Sequence, residues 1–508
     1  MLFKYKRKGI NKVKEKEQGK TDKNFDGEIT TENISNLIKH SADIIFRDFY
    51  IKGKKPFRVT IVFIDGLVDT KEMDAFILKP LTREIDFSQC NALDVLYRLE
   101  NNILFHGIQI TRTELGQCIN DIMSGSVALV FDEIKRAITF NIGEFEKRSI
   151  TEPTEENVLK GPKDAFIESL RVNTSTVRRR VKTHSLVIEE MVIGEQSLTE
   201  VAIVYLDGVT NRHIIKEVKK RLSAIKVDAV ASSGVIEEEI IDNKYSLFPQ
   251  VLTTERPDKF CANILEGRIG IIIDGFPNTF IAPAALNEFL QGPNDYSQNF
   301  ITSSALRFMR YVLMLVTLFL PGFYISVTSF HQEMIPTELA LFIMAAKEGV
   351  PFPSFVEVIF MLIAFEVLLE AGLRLPKNIS QAVAIVGALV VGQAAVEARL
   401  VSPAVVVIIS ITAISSFTMP DQDFSNALRI WRFFIAILTS VVGLYGLSVG
   451  GLLLLIHFAK MESFGIPYLA PLIAAEGKQL QDTLVRFPFS FMYKRPIDLK
   501  TSNKKRRS

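Results

Sequence analysis

The sequence predicts two tandem α/β subdomains followed by an all-α, multi-span membrane domain. Two observations carry that reading. Tyr311 to Phe330, Leu400 to Met419 and Phe433 to Ile456 are charge-free apolar runs of 20, 20 and 24 residues, each long enough to cross a hydrocarbon core of about 30 Å. Earlier in the chain, Val59-Thr-Ile-Val-Phe-Ile-Asp65-Gly66 reappears 142 residues later as Val201-Ala-Ile-Val-Tyr-Leu-Asp207-Gly208. The same offset maps Gly125-Ser-Val-Ala-Leu-Val-Phe-Asp132 onto Gly267-Arg-Ile-Gly-Ile-Ile-Ile-Asp274. Two separate segments matching at one shift mark a duplication.

The 508 residues accordingly divide into a basic disordered tail at 1–30, a first subdomain at 31–150, and a linker helix with a second subdomain at 151–300. A transmembrane helical domain of four to five segments follows at 301–460, then a basic cytoplasmic tail at 461–508. A net charge of +2 offers no electrostatic case for nucleic acid. Basic residues gather at the ends, as Lys4, Lys6, Arg7, Lys8, Lys12, Lys14 and Lys16, then Lys504, Lys505, Arg506 and Arg507. Such clusters are solvated tails, or they touch anionic lipid heads. Cys90, Cys118 and Cys261 have neither CxxC spacing nor a neighbouring histidine pair, so no disulfide framework and no metal site is expected. Met1 to Lys20 lacks the apolar core of a secretory signal, which places the front of the chain on the cytoplasmic side.

Each copy opens with an apolar strand ending in Asp and closes with a Gly-led strand ending in Asp. Apolar residues at successive positions require burial on both faces, so helices are expected to cover the sheet. Leu93 to Asn102 and Arg212 to Lys226 carry apolar residues at helical spacing, and Ile134 to Ile142 and Phe276 to Ile281 read as return strands of hairpins. A strand-terminal Asp can serve as a phosphoryl-accepting nucleophile, but Asp-Gly is also ordinary turn chemistry. In Asp65-Gly-Leu-Val-Asp69-Thr70 the second acid comes two positions too late for a phosphatase motif, and the second copy has Asn211 there. Neither a GxxxxGK(S/T) nor a GxGxxG loop occurs. No catalytic residue, nucleotide or other cofactor is predicted. Between the copies, Glu152-Pro153 to Gly194 includes a helix from Ala165 and the cluster Arg178-Arg179-Arg180 with Lys182 and His184. That cluster reads either as a phosphate or acidic-partner contact or as a solvated face.

In the membrane domain, Pro321-Gly322 is expected to break the first span midway. Pro336 starts a short amphipathic helix to Lys347, stopped before Gly349, Pro351 and Pro353. It is too short to cross and belongs in the interface or partway into the membrane. Phe355 to Gly372 contains Glu357, Glu366 and Glu370, and carboxylates in hydrocarbon need water or a partner. At about 100° per residue, Glu366 and Glu370 lie about 40° apart and Glu357 roughly opposite. The stripe borders a cation or proton path, ring-shaped in an oligomer; alternatively Glu370 pairs with Arg374 at one interface and Glu357 snorkels at the other. Ile379 to Val396 carries Gly387, Gly392 and Gln393 among several alanines, a composition suited to close helix packing in lipid. Arg307 and Arg310 before the first span, with the basic tail, put both ends on the cytoplasmic side. Five apolar segments cannot then all cross, and either the acidic segment or 379–396 is incomplete.

Several longer motifs carry a resemblance: Thr254-Glu-Arg-Pro-Asp258, Gly267-Arg268 leading to Asp274-Gly-Phe-Pro277, Asp295-Tyr296, Pro321-Gly322 and Val350-Pro-Phe-Pro353. Further along come Glu366 through Glu370-Ala-Gly-Leu-Arg-Leu-Pro376, Gly392-Gln-Ala-Ala-Val396, Ser463-Phe-Gly-Ile-Pro-Tyr468, and Arg486-Phe-Pro488 with Met492 and Arg495-Pro496. Over about residues 150–496, and more weakly before, the sequence resembles the A subunits of nutrient germinant receptors of endospore-forming bacteria, the GerA family. It departs from that pattern at Ala165 and Ser380, where the family usually has glycine. The resemblance implies a non-enzymatic subunit of the inner spore membrane that works with a transporter-like, nutrient-binding B subunit and a lipoprotein C subunit. It also implies homo-oligomers that supply a gated path for monovalent cations. Within the same family, a non-conducting scaffold subunit and an accessory spore-membrane channel are the alternatives; outside it stands a membrane-tethered phosphatase using Asp65 or Asp207.

Overall fold

The computed structural model describes residues 25, 27–38, 41–101, 103–104, 109–143, 153, 156, 158, 160–374, 391–470, 472 and 482–506. The basic front tail, Gly387 and most of the 379–396 segment lie outside them. The chain forms two compact units. The first holds residues up to 281 except 156–161 and 237–252; the second holds those two segments and residues 282–508.

The first unit contains α1 (Thr31–Leu37), β1 (Ile44–Ile51), β2 (Phe57–Ile64), α2 (Thr70–Met73), α3 (Ala92–Glu100), β3 (Gln109–Arg112), α4 (Leu115–Met123), β4 (Val127–Phe131) and β5 (Arg136–Phe140). Then follow α5 (Leu170–Arg180), β6 (Leu186–Ile193), β7 (Thr199–Leu206), α6 (Arg212–Ala224), α7 (Ser233–Ile240), β8 (Leu252–Thr254), α8 (Pro257–Glu266), β9 (Ile269–Ile273) and β10 (Thr279–Ala282), of which residues 237–240 of α7, Leu252 of β8 and Ala282 of β10 belong to the second unit. Past Met73, α2 continues in wider π-type turns over Asp74–Leu78 and Pro80–Glu84. Two five-stranded sheets result, ordered β1-β2-β4-β5-β3 and β6-β7-β9-β10-β8. The offset of 142 carries β1 onto β6, β2 onto β7 and β4 onto β9 residue for residue, so the duplication and both hairpins stand.

The ladders β1–β2, β2–β4, β4–β5, β6–β7 and β7–β9 are antiparallel, yet the strands are apolar at successive positions. Both faces of the sheet are covered. Val59, Ile61 and Phe63 pack under Met73, Ile77, Val95 and Leu99, while Val62 and Ile64 pack under Ile34, Cys118, Ile119 and Ile122. Fully burying one such side chain contributes about 1.5–3 kcal/mol, so covering the second face strongly favours this register. The two copies solve the same packing differently. Phe260 of α8 crosses β9 where Gly270 lacks a side chain, and a Cβ there would lie 2.0 Å from the ring; the first copy has Cys118 and Ala128 at the equivalent positions.

All three cysteines are buried and free, and burial pushes the Cys118 and Cys261 thiols up to about 12. A thiolate-directed reagent at pH 8 should therefore label none of the three in the native protein and all three in denaturant. Rapid native labelling would show that the helices lift off the sheets.

The second unit contains the short helices α9 (Leu286–Phe289) and α10 (Asn294–Ser297), then α11 (Phe300–Ser329), α12 (Thr337–Ala346), α13 (Ser354–Arg374), α14 (Pro403–Ser416), α15 (Gln422–Val442), α16 (Leu444–Lys460) and a short pair of strands, β11 (Glu462–Ser463) with β12 (Ile466–Pro467). Its core joins Tyr324 and Ile325 to Val358, Leu362, Val405, Ile409 and Ala436. Among the described residues, two helices are long and apolar enough to cross a membrane: α11, with 30 residues and mean hydropathy 1.9, and α15, with 21 residues and mean hydropathy 1.3.

Four expectations change here. Pro321-Gly322 does not break the first span, because α11 runs through it; proline removes one backbone bond, and the packed neighbours hold the helix together. Gly322 serves close packing instead, since a Cβ would come within 2.9 Å of Leu447 Cδ1 and 3.1 Å of Thr439 Oγ1. The run from Phe433 to Ile456 is not one span, for it divides at Gly443, whose φ of 62° and ψ of −140° suit glycine alone. The run from Leu400 to Met419 yields only 14 helical residues, about 21 Å at the α-helical rise. Finally, α12 is apolar around its circumference rather than amphipathic, with Leu339, Leu341, Phe342 and Met344 all exposed.

Candidate functional site

Of the strand-terminal acids, Asp132 and Asp274 cap helices and Asp65 makes an ion pair. Asp132 Oδ1 accepts from the backbone N–H of Thr31 at 2.7 Å, and Asp274 Oδ1 from that of Leu170 at 2.9 Å, so each closing strand caps the first helix of its own copy. Asp69 accepts from Lys71 N–H at 2.7 Å and Glu72 N–H at 3.1 Å, while Asn211 accepts from His213 N–H at 3.0 Å. The Asp-to-Asn difference between copies is thus an exchange of one N-cap for another. Asp65 pairs with Arg171 Nε at 3.1 Å. After it and after Asp207, Gly66 and Gly208 take φ of 80° and 74°, as the turn requires.

Of the arginine cluster only Arg178 faces inward. Arg178 is fully buried and holds Asp43 through two bonds of 2.9 Å, with Leu186 O at 2.9 Å and Ser41 Oγ at 3.0 Å. Asp43 belongs to the first copy and Arg178 to the second, and Ala42 N–H donates to Ile188 O at 2.8 Å beside them. Arg178 therefore clasps the two copies together and is closed to any phosphate. Arg180 pairs with Asp164, and Arg179 reaches Thr176 Oγ1 at 3.2 Å.

In the second unit, α13 distributes its three glutamates among different partners. Glu357 is 1% exposed; its Oε2 accepts from Ser402 N–H at 2.7 Å, at the start of α14, and Lys347 Nζ lies 3.2 Å from Oε1. Glu366 binds Arg429 Nη1 at 3.0 Å and Arg432 Nη2 at 2.7 Å. Arg432 is almost wholly buried, and Arg429 also bonds Asn426. Two guanidiniums on one carboxylate leave that junction of α13 and α15 with a surplus positive charge. Glu370 is exposed, and the side chain of Arg374, its expected partner, lies outside the described residues. Gln393 is exposed and donates to Glu397 Oε1 at 2.8 Å. Gly392 is buried 3.5 Å from Val406 by the same Cβ measure.

At the root of α11, Arg307 and Arg310 are not free surface charges. Arg310 grips Asp295 Oδ2 at 2.8 Å, and Arg307 reaches Asp295 Oδ2 at 3.3 Å and Asp482 Oδ1 at 2.9 Å. Arg486 donates to Asp295 O at 2.6 Å and lies 4.6 Å from the Phe489 ring centroid. The segment after residue 482 is thereby tied to the first membrane-length helix. Sequence reasoning missed Arg429, Arg432, Asp482 and Asp43; the one available signal was charge at positions otherwise reading as apolar helix, which demands a partner.

A duplicated, helix-covered sheet unit and a helical unit with, among the described residues, two membrane-length helices and internal ion pairs mark a membrane-associated protein. The chain belongs to the GerA family: the model for the Bacillus/Clostridium GerA spore germination protein matches residues 32–497. It is similar to spore germination protein B1 of Bacillus subtilis (strain 168), 36% identical over 466 residues that cover 92% of this chain and 95% of that protein. Spore germination protein KA of the same organism is 37% identical over 466 residues, covering 92% and 85%. Among solved structures, the N-terminal domain of the A subunit of the Bacillus megaterium spore germinant receptor GerK3 is 31% identical, covering 51% of this chain and 96% of that one with a TM-score of 0.40.

Proposed function

We propose that the chain is the non-enzymatic A subunit of a nutrient germinant receptor in the inner spore membrane, with both ends on the cytoplasmic side. It works with a transporter-like B subunit and a lipoprotein C subunit, and copies of it assemble around a gated path for monovalent cations. The observation that carries this reading is the outward placement of Glu370 and of Gln393 with Glu397 on helices of the apolar unit. A carboxylate facing lipid costs several kcal/mol, so water or another subunit covers that face. Glu366 lies one turn from Glu370, and its arginine partners make it the gated member of the stripe.

Glu366→Gln with Glu370→Gln should slow germinant-triggered K⁺ release by about tenfold, equivalent to 1.4 kcal/mol on the barrier, while the protein still reaches the membrane. Release at the parental rate would defeat the path. The ion pairs of Glu366 and the cap made by Glu357 favour a second reading, a non-conducting scaffold whose acids only join helices. The purified chain in liposomes separates the two, since a scaffold passes no current.

A further inference from the structure

Within the second unit, a cleft of about 290 Å³ opens between the segment running from Glu237 to Gln250 and the first two turns of α15. Its polar lining is uneven. Gln250 is consumed by Asp242 N–H, Asn243 N–H and Asn243 O. Ser246 Oγ is held by His457 and Met461, and Asn426 Oδ1 accepts from Arg429. Glu237 and Asp423 are different. Among the described residues, neither carboxylate makes a hydrogen bond or an ion pair. The remaining wall is apolar, from Ile241, Leu247, Phe248 and Ile430.

A recess that sets two carboxylates accepting no hydrogen bond within the described residues, beside the Asn426 amide, in an apolar and aromatic wall selects a donor with a positive charge and a hydrocarbon stem. The geometry points to a binding site for a small organic ammonium, its nitrogen between Glu237 and Asp423 and its stem against Phe248 and Ile430. Burial, with Asp423 of α15 and its capping residue Asp421 alongside, pushes the Glu237 carboxyl up to about 7. On its own segment Glu238, Glu239 and Asp242 add negative charge, and His457 of α16 lies behind Ser246. A proton and the ammonium compete for Glu237, so affinity rises between pH 6 and pH 8.

The single tryptophan reports on the cleft, because the Trp431 ring lies 6.4 Å from that of Phe248. The full-length protein in detergent is titrated with n-pentylammonium chloride, followed by Trp431 fluorescence and by equilibrium dialysis. Saturable binding is expected, stronger at pH 8 than at pH 6. Glu237→Gln with Asp423→Asn should weaken it at least tenfold, and Glu237→Lys, which supplies its own ammonium, should abolish it. Equal binding of n-pentanol would overturn the site as mere apolar partitioning. An equal response to NaCl would overturn the organic stem, and unchanged binding in the double variant, or none by either method, would overturn the site itself.

Discussion

Replacing Arg178 by alanine is expected to destabilise the first unit by about 3–5 kcal/mol, the usual cost of leaving one half of a buried ion pair without its partner. Both groups are out of water, Arg178 at 0% and Asp43 at 2% side-chain exposure. With the guanidinium gone, the Asp43 carboxylate, Ser41 Oγ and Leu186 O all lose a donor. Arg178→Lys should recover only part of the loss, since a point charge cannot span both carboxylate oxygens. Urea unfolding of the parent and the two variants checks this, and a change under 1 kcal/mol in the alanine variant would show the clasp to be dispensable. Because Arg178 and Asp43 come from different copies, the same variant should also loosen the junction between them. Faster exchange of the Ala42 amide, now bonded to Ile188 O, would report that.

Asp295→Ala is the other change of comparable size, about 3–5 kcal/mol by the same reasoning. Asp295 is 1% exposed and its carboxylate meets both Arg307 and Arg310; its removal leaves Arg310 without a carboxylate and Arg307 with Asp482 alone at the root of α11. Arg486, held on the Asp295 backbone carbonyl, loses its setting with them. The segment beyond residue 482 should then detach, so limited trypsin digestion of the membrane-embedded protein should cut near Arg486 in the variant and not in the parent. Protection equal to that of the parent would mean that Asp482 alone holds the tail.

Much of this architecture was legible before any coordinates. Repetition at an offset of 142 announced two equivalent sheets, and apolar residues at successive strand positions announced two covered faces. A strand keeps such residues only if both of its sides are dry, so the pattern states the environment. The outer limits of the acidic helix were also readable, from Pro353 before Ser354 and from the length of the apolar run. The interruption of the apolar run from Phe433 to Ile456 was not. Gly443 sits in sequence as innocuous as that around Gly450 or Gly451, and a hydropathy window registers side chains while a helix break is a matter of backbone dihedrals.

Partner choice was equally hidden. Glu366 and Glu357 look alike within one helix, but one meets two arginines from α15 and the other the N-terminus of α14. Likewise Arg178, Arg179 and Arg180 are adjacent and chemically identical, and only the 100° step between them sends the first inward to Asp43. Local composition by itself determined that this protein has a duplicated sheet region and an apolar helical region, because burial preference is a property each residue carries with it. Which charges are neutralised, and by what, was decided only in three dimensions, where a residue 135 positions away in the chain supplies the opposing group.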